Sequence, residues 1–136
     1  MKLSASTRRS LHDMGTEFVR EFLETDLVRH PKNTHALAEL GQIYTSMELW
    51  DLGLSVDRQL VNLLPESSTA YYNLGCSLAL LALTDEALQA LEQSVDLGYN
   101  DADHMLTDDD LVSLHDQGRF RALLERIHTL AHPSLD

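Results

Sequence analysis

The sequence has little that would support a secreted, membrane-spanning or disordered protein. It contains one cysteine, Cys76, which excludes an intramolecular disulfide framework. The longest apolar run, residues 78–83, is far too short to cross a bilayer, and no apolar stretch of signal-peptide length follows the charged N-terminus. With only three prolines and six glycines, long disordered stretches are not expected. These absences predict one compact domain in the cytoplasm, with no membrane partner.

Positive charge is scarce in the middle of the chain. Residues 33–118 hold fifteen acidic residues and a single basic one, Arg58. Residues 1–32, by contrast, hold six Lys and Arg against five acids. An anionic body disfavours a phosphate backbone and favours cationic peptides or proteins. We therefore expect no nucleic-acid partner, although the same acidity would also serve solubility alone.

The sequence repeats itself at a spacing of 34 residues. Residues 37–44 (LAELGQIY) line up with residues 71–78 (YYNLGCSL), and Gly53 lines up with Ala87. Pro31 lies one period before Pro65. A helix-turn-helix period of this length, with a large residue, Leu-Gly, a second large residue, a small residue and then Pro, is the tetratricopeptide pattern. The chain therefore resembles the tetratricopeptide repeat (TPR) family.

This resemblance implies an all-α fold of antiparallel helix pairs stacked into an α–α superhelix. It covers about two full repeats, at residues 34–67 and 68–101, which capping helices would flank at both ends. Two positions depart from the family pattern, because Asp57 replaces a bulky apolar residue and Tyr99 replaces the closing Pro. Gly41 and Gly75 are expected where the two helices of each pair cross most closely.

The flanks of the repeats are predicted from weaker patterns. Residues 1–12 are read as a mobile leader. Residues 13–33 are predicted as an N-terminal helical unit that represents part of a repeat, with an amphipathic helix from Asp13 to about Arg29 that ends before Pro31. Residues 102–136 resemble the degenerate closing unit of small bacterial TPR proteins, with one apolar and one polar face. Within this unit we expect a short helix at residues 108–115, with Thr107 in its cap, and a final amphipathic helix.

Several residues are expected to cap the repeat helices. Asn33 or Thr34 would cap the first helix of the first pair, Ser67 and Ser68 the first helix of the second pair, and Thr84 its partner. Gly98 is placed to end that partner helix in a left-handed conformation.

In the TPR family the first helix of each pair lines a concave groove. Carried over by helix register, the resemblance predicts a partner-binding groove made of His35, Ala38, Gln42, Thr45, Thr69, Tyr72, Asn73 and Cys76, with Ala79 beside them. This small and mostly neutral set suits an extended peptide or a helix that lies over Tyr72. The competing interpretation puts Tyr72 in the core between repeats.

One TPR subtype grips a carboxylate with a clamp of Lys, Asn and Arg. Asn73 matches one clamp position, but Ala38 and Gln42 occupy slots for Lys and Asn. Asp103 and Thr107 fall where the clamp has its later cations. We therefore expect no clamp, and we interpret Asn73 as a structural hydrogen-bonding residue.

No metal, cofactor or catalytic site is predicted. His128 and His132 are four residues apart on one helix, but nothing is placed to complete a tetrahedral set. The run 108–110 lacks the Gly and distal Glu of a calcium loop, so a role in helix capping is preferred. Cys76 has no basic neighbours to lower its pKa. The chain is not expected to be an enzyme.

The function that follows from this reading is a protein-interaction module or adaptor, which holds a peptide or helix of a partner protein in the concave groove. Two alternatives stay open. One is a chaperone-type module that keeps an aggregation-prone partner soluble. The other is a self-assembling scaffold, in which the N-terminal helix docks on a neighbouring copy.

Overall fold

The computed structural model describes residues 4–133, and the side chains of residues 7–11 are outside that description. The elements are α1 (Ala5–Arg29), α2 (Thr34–Ser46), α3 (Trp50–Leu63), α4 (Ser68–Leu80), α5 (Thr84–Asp96), α6 (Ala102–Thr107), a 3₁₀ helix (Asp109–Leu114) and α7 (Gly118–Ala131). Residues 4–133 contain no strand, and the predicted all-α class is confirmed. No helix in this part of the chain has both the length and the apolar character needed to cross a bilayer.

The backbone repeats the 34-residue period of the sequence. Helices α2 and α3 pack against each other, as do α4 and α5, and α3 packs on α4. The two tight turns inside these pairs have the same geometry, because Glu48 and Ala82 both adopt the left-handed conformation at φ 59°. The amide of the residue after each also donates to an equivalent carbonyl, from Leu49 to Tyr44 at 2.8 Å and from Leu83 to Leu78 at 2.9 Å.

Most helix ends follow the local sequence signals. The side chains of Asn33 and Ser67 accept hydrogen bonds from the amides of Ala36 and Ala70, at 3.2 Å and 3.1 Å, as N-caps do. Gly98 has φ 112°, so the predicted left-handed stop of α5 is confirmed. The predicted cap Thr84 is wrong, because it is the first residue of α5 and the capping position is Leu83, which makes no side-chain cap bond.

The N-terminal helix is longer than expected. It begins at Ala5, within the predicted leader of residues 1–12, so the helix extends eight residues before its expected start at residue 13, while residues 1–3 lie outside the described part of the chain. The first turns are polar, which suggested a leader, but Arg, Leu and Met favour helix and no proline interrupts them. Gly15 continues the helix at an exposed position where an added Cβ would meet nothing. Helix α1 packs on α2.

The core forms two clusters that meet at Val61. The first joins α1, α2 and α3 through Leu23, Leu37 and Leu60. The second joins α4 and α5 to the segment that contains α6, the 3₁₀ helix and α7 (residues 102–131), which we call the C-terminal segment. Its fully buried residues include Met105, Leu111, Leu114, Phe120 and Ile127. The C-terminal segment therefore completes the core beside α4 and α5.

The C-terminal segment differs in detail from the prediction. A 3₁₀ helix at Asp109–Leu114 replaces the expected helix at 108–115. Its N-cap is Asp108, whose side chain accepts from the Asp110 amide at 3.0 Å, and the predicted cap Thr107 instead closes α6 by donating to the carbonyl of Asp103. An aspartate one residue later offers a better-placed acceptor than the threonine. This shift brings the Asp108 side chain onto α4, where it contacts Tyr72.

Candidate functional site

Two cavities lie side by side along the face formed by α2 and α4. The first, of about 300 Å³, is lined by residues that include Gln42, Asp57, Cys76, Asp108 and Asp110, and we call it the acidic cavity. The second, of about 270 Å³, is lined by residues that include His35, Ala38 and Leu64, and we call it the apolar cavity. Asn73 lines both.

The structure divides the predicted groove residues between these two cavities. Five of them line the acidic cavity: Gln42, Thr45, Tyr72, Asn73 and Cys76. Four line the apolar cavity: His35, Ala38, Thr69 and Asn73. Ala79 is buried, and its carbonyl accepts from the Ser113 hydroxyl at 3.4 Å. The helix register thus placed these residues along one face, although the face is not equally open along its length.

Tyr72 is not the exposed groove aromatic that register predicted. Only 6% of its surface is accessible, and its hydroxyl donates to Asp108 Oδ2 at 2.7 Å. Its ring stacks on Tyr99 with the centroids 4.6 Å apart. The reason is the C-terminal segment, which folds over this part of α4. The geometry matches the competing interpretation, in which Tyr72 belongs to the core, whereas Ala38, one period earlier, is exposed.

Cys76 lies at the back of the acidic cavity and is 7% exposed. Its thiol points at Asp108 Oδ2 from 3.8 Å. Burial raises the pKa of the Cys76 thiol well above its usual range, and the charges of Asp108 and Asp110 raise it further. A thiol held protonated at neutral pH is a poor nucleophile.

Asp57 is a cavity residue that the sequence showed only as a departure from the repeat pattern. Its carboxylate is buried on α3 and accepts a hydrogen bond from the Ser77 hydroxyl of α4. Burial raises the pKa of Asp57 to about 6, while the bond from Ser77 acts in the lowering direction. The signal that could have found it was the acidic residue itself, at a slot that Leu91 fills one period later.

The remaining carboxylates come from the C-terminal segment. Asp108 accepts from Tyr72 through Oδ2 and from the amide of Asp110 through Oδ1, and His104 Nε2 lies 3.6 Å from Oδ2. Burial raises the pKa of Asp110, and the charges of Asp108 and Asp109 add to that shift. These residues were expected only to cap a helix. Residues 102–136 lie outside the 34-residue repeat, so no sequence pattern indicated that Asp108 and Asp110 would reach Cys76.

A separate surface on α1 is apolar and exposed. Met14, Phe18 and Phe22 are 68%, 71% and 65% exposed, and their spacing of four residues puts them on one side of the helix. An apolar patch of this kind marks an interaction surface more often than a scattered single residue does. At the other end of the chain, His128 and His132 are both exposed, and their ring centroids are 4.8 Å apart.

Comparison with known proteins supports the fold and goes no further. No protein-family description matches the chain, and no curated protein matches it in sequence. Among solved structures, a crystal structure of MamA superposes with a TM-score of 0.71 at 19% identity, over 98% of this chain and 77% of that one. A MamA structure from AMB-1 gives 0.66 at 22% identity, over 94% of this chain and 68% of the other. An RS-1 MamA double mutant gives 0.68 at 18% identity, over 91% of this chain and 72% of the other. This chain therefore has the helical-repeat fold seen in MamA.

Proposed function

We propose that this chain is a cytoplasmic TPR-type interaction module that binds a cationic segment of another protein along the face of α2 and α4. The observation that carries the proposal is the charge of the acidic cavity. Asp57, Asp108 and Asp110 line it, and no Lys or Arg is among the described residues that do so. The repeated turn geometry at Glu48 and Ala82 supports the repeat assignment.

The order of the two cavities along the face sets the order of side chains expected in the bound segment. Helix α2 leaves Ala38 and Gln42 exposed, so a chain can lie along it from the apolar cavity to the acidic one. An apolar side chain would then fill the cavity beside Leu60 and Leu64, while a Lys or Arg would enter the cavity beside Asp57. Because the carboxylates there are partly buried, salt screens their attraction less than it screens surface charges.

The test is a change of charge at the mouth of the acidic cavity. Gln42→Lys adds one positive charge to an exposed residue that lines the cavity, so binding should weaken without loss of fold. Ser46→Lys is the matched control, because it adds the same charge to an exposed residue of α2 that neither cavity includes among its lining. The probe is a peptide array that pairs Lys- and Arg-containing sequences with the same sequences carrying Gln.

The proposal expects wild type and the Ser46→Lys variant to select basic peptides, and it expects Gln42→Lys to lose that selection. Equal binding of the basic and the Gln-containing peptides by wild type would overturn it. So would equal weakening by both Lys variants, because a general charge effect would then explain the result.

A second candidate function is self-association through α1, which the exposed side chains of Met14, Phe18 and Phe22 favour. The occupant would be α1 of a second copy, since a two-fold axis sets the same apolar stripe against itself. Sedimentation of wild type should then show a concentration-dependent mass that Phe18→Glu removes. His12→Glu, at an exposed position on a different side of α1, should leave it unchanged. A monomer at all concentrations would exclude this candidate.

A further inference from the structure

Three side chains of metal-binding type converge inside the acidic cavity. Cys76 Sγ and one carboxylate oxygen each from Asp108 and Asp110 all lie within 4.8 Å of one another. They come from α4 and from the segment around the 3₁₀ helix, more than thirty residues later in the chain. The cluster is thus a product of the fold, and a run of neighbouring acids does not explain it.

The spacing of these atoms is close to what a zinc ion requires. Zn–S bonds of about 2.3 Å and Zn–O bonds of about 2.0–2.2 Å put the ligands of a tetrahedral site about 3.5 Å apart. Cys76 Sγ lies 3.8 Å from Asp108 Oδ2, and His104 Nε2 lies 3.6 Å from the same oxygen. The thiol and the two carboxylates therefore already lie close to the separations of a tetrahedral site, and His104 approaches the cluster beside Asp108 Oδ2.

Among the described residues that line the cavity, His104 is the basic side chain beside the cluster, at 3.6 Å from Asp108 Oδ2. The buried thiol faces two carboxylates, and the described lining of the cavity offers no Lys or Arg to balance them. Close by, the ring of Tyr99 stacks on Tyr72. A divalent cation would balance the charge of the two carboxylates.

Other groups already hold the central ligand in place. The Tyr72 hydroxyl donates to Asp108 Oδ2 at 2.7 Å, and the Asp110 amide donates to Oδ1 at 3.0 Å. Hydrogen bonds of this kind orient carboxylate ligands in metal sites and raise their affinity for the ion. Asp108 can accept a metal on a remaining lone pair of Oδ2 while both bonds persist.

We propose that Cys76, Asp108 and Asp110 form a binding site for a divalent transition-metal ion, with zinc as the best match and with His104 or a water molecule in the fourth coordination position. A thiolate ligand favours zinc over calcium or magnesium, which prefer oxygen ligands alone. Binding replaces the proton of the Cys76 thiol with the metal, and that proton leaves to solvent. The sequence predicted no metal site, because its ligands come together only in the folded chain.

The metal site and the proposed peptide surface share Asp108 and Asp110, while Asp57 belongs to the peptide surface alone. Zinc titration of the chain alone therefore tests the site separately from peptide binding. A bound ion would also tie α4 to the C-terminal segment.

The experiment titrates the full, tag-free chain with Zn²⁺ by calorimetry and with Co²⁺ by absorption spectroscopy. Wild type should bind one ion, and Co²⁺ should give a thiolate charge-transfer band together with tetrahedral d–d bands. Cys76→Ser should remove the charge-transfer band. Cys76→Ser and Asp110→Asn should each weaken zinc binding by about 100-fold or more, since each removes a direct ligand.

Asp109→Asn is the matched control for Asp110→Asn, because Asp109 is an exposed neighbour of the same charge that is not part of the cluster. It should keep both the affinity and the spectrum of wild type. Asp108 is left unchanged, since its loss would also remove the cap of the 3₁₀ helix. Circular dichroism of each variant shows that it is folded before it is titrated.

Three results would overturn the proposal. The first is no zinc binding by folded wild type at a Kd below about 100 µM, which is weaker than a built site gives. The second is bound Co²⁺ without a thiolate band, which would place the ion away from Cys76. The third is equal weakening by Asp109→Asn and Asp110→Asn, which would show nonspecific attraction to the acidic segment.

Discussion

The two helix pairs, α2–α3 and α4–α5, have the same backbone conformation at their turns but carry different side chains at equivalent positions. The turns at Glu48 and Ala82 superpose in conformation, and Gly41 and Gly75 stand at equivalent crossings. Yet Ala38 is exposed where Tyr72 is buried, as the burial pattern of α2 and α4 shows. Positions that are alike in the two pairs are those that the repeat geometry needs. Positions that differ, such as that of Tyr72, lie mainly around the acidic cavity.

The crossing points show the same contrast. Leu91 presses on Gly75, where an added Cβ would lie 2.7 Å from Leu91 Cδ2. At the first crossing the equivalent neighbour is Asp57, with Oδ1 3.3 Å from the position of a Cβ on Gly41. The second pair is thus closed by apolar contact. The first places a buried carboxylate at its centre, and that arrangement carries a cost in stability.

The largest expected effect compares Tyr72 with Ala38. Tyr72→Ala should lower the free energy of unfolding by about 3–5 kcal/mol, because it empties a buried site between α4 and the C-terminal segment. Tyr72→Phe, which removes only the bond to Asp108, should lower it by about 1–3 kcal/mol. Ala38→Ser, at the exposed position one period earlier, should change it by less than about 0.5 kcal/mol. Urea denaturation followed by circular dichroism measures all three.

This prediction separates the core role of Tyr72 from the anchor role that register suggested. A Tyr72→Ala variant with wild-type stability would mean that the C-terminal segment does not cover α4 in solution. Tyr72 would then be exposed like Ala38 one period earlier, and its side chain would be available to a partner.

The next effect compares the two crossing glycines. Gly75→Ala should cost about 1–3 kcal/mol, since its Cβ would overlap the fully buried Leu91 and the tightly packed pair cannot move apart freely. Gly41→Ala should be close to neutral, because a mild contact with Asp57 is offset by a gain of about 1 kcal/mol in helix propensity. Thermal unfolding of both variants checks the difference. Equal costs would show that Asp57 restricts its crossing as tightly as Leu91 restricts the other.

Much of the fold could be predicted because the repeat depends on signals between residues that are close together in the sequence. Asn33, Ser67 and Gly98 act at the helix ends where they were expected, since caps and left-handed stops depend on near neighbours. The start of α1 at Ala5 was missed, because a polar helix and a polar leader have similar composition. The likeness to MamA concerns this architecture alone.

The acidic cavity could be predicted only in part. Register along α2 and α4 placed Gln42 and Cys76 on one face, because a helix fixes which residues share a side. It could not show that Asp108 and Asp110 would fold back onto that face, since their position depends on long-range packing of Leu111 and Leu114. The cluster at Cys76 thus arises where the repeat pattern ends.

The smallest of these effects concerns the pH dependence of stability. It tests whether the buried Asp57, at the position that Leu91 fills one period later, destabilises the first helix pair when it is ionised. A buried carboxyl whose folded pKa is raised from 3.8 to about 6 stabilises the fold only when protonated. This contribution is complete below pH 4, is lost as the pH rises from 4 to 6, and stays lost above pH 6. Asp57→Asn removes the charge, so its stability relative to wild type should grow by about 1–2 kcal/mol between pH 4 and pH 7. Asp51→Asn, at an exposed position on α3, is the matched control and should show no such growth. Urea denaturation at pH 4, 5, 6 and 7 gives the difference directly. A constant difference across this range would mean that Asp57 titrates as a solvated carboxyl. Its burial would then place no cost on the stability of the first helix pair.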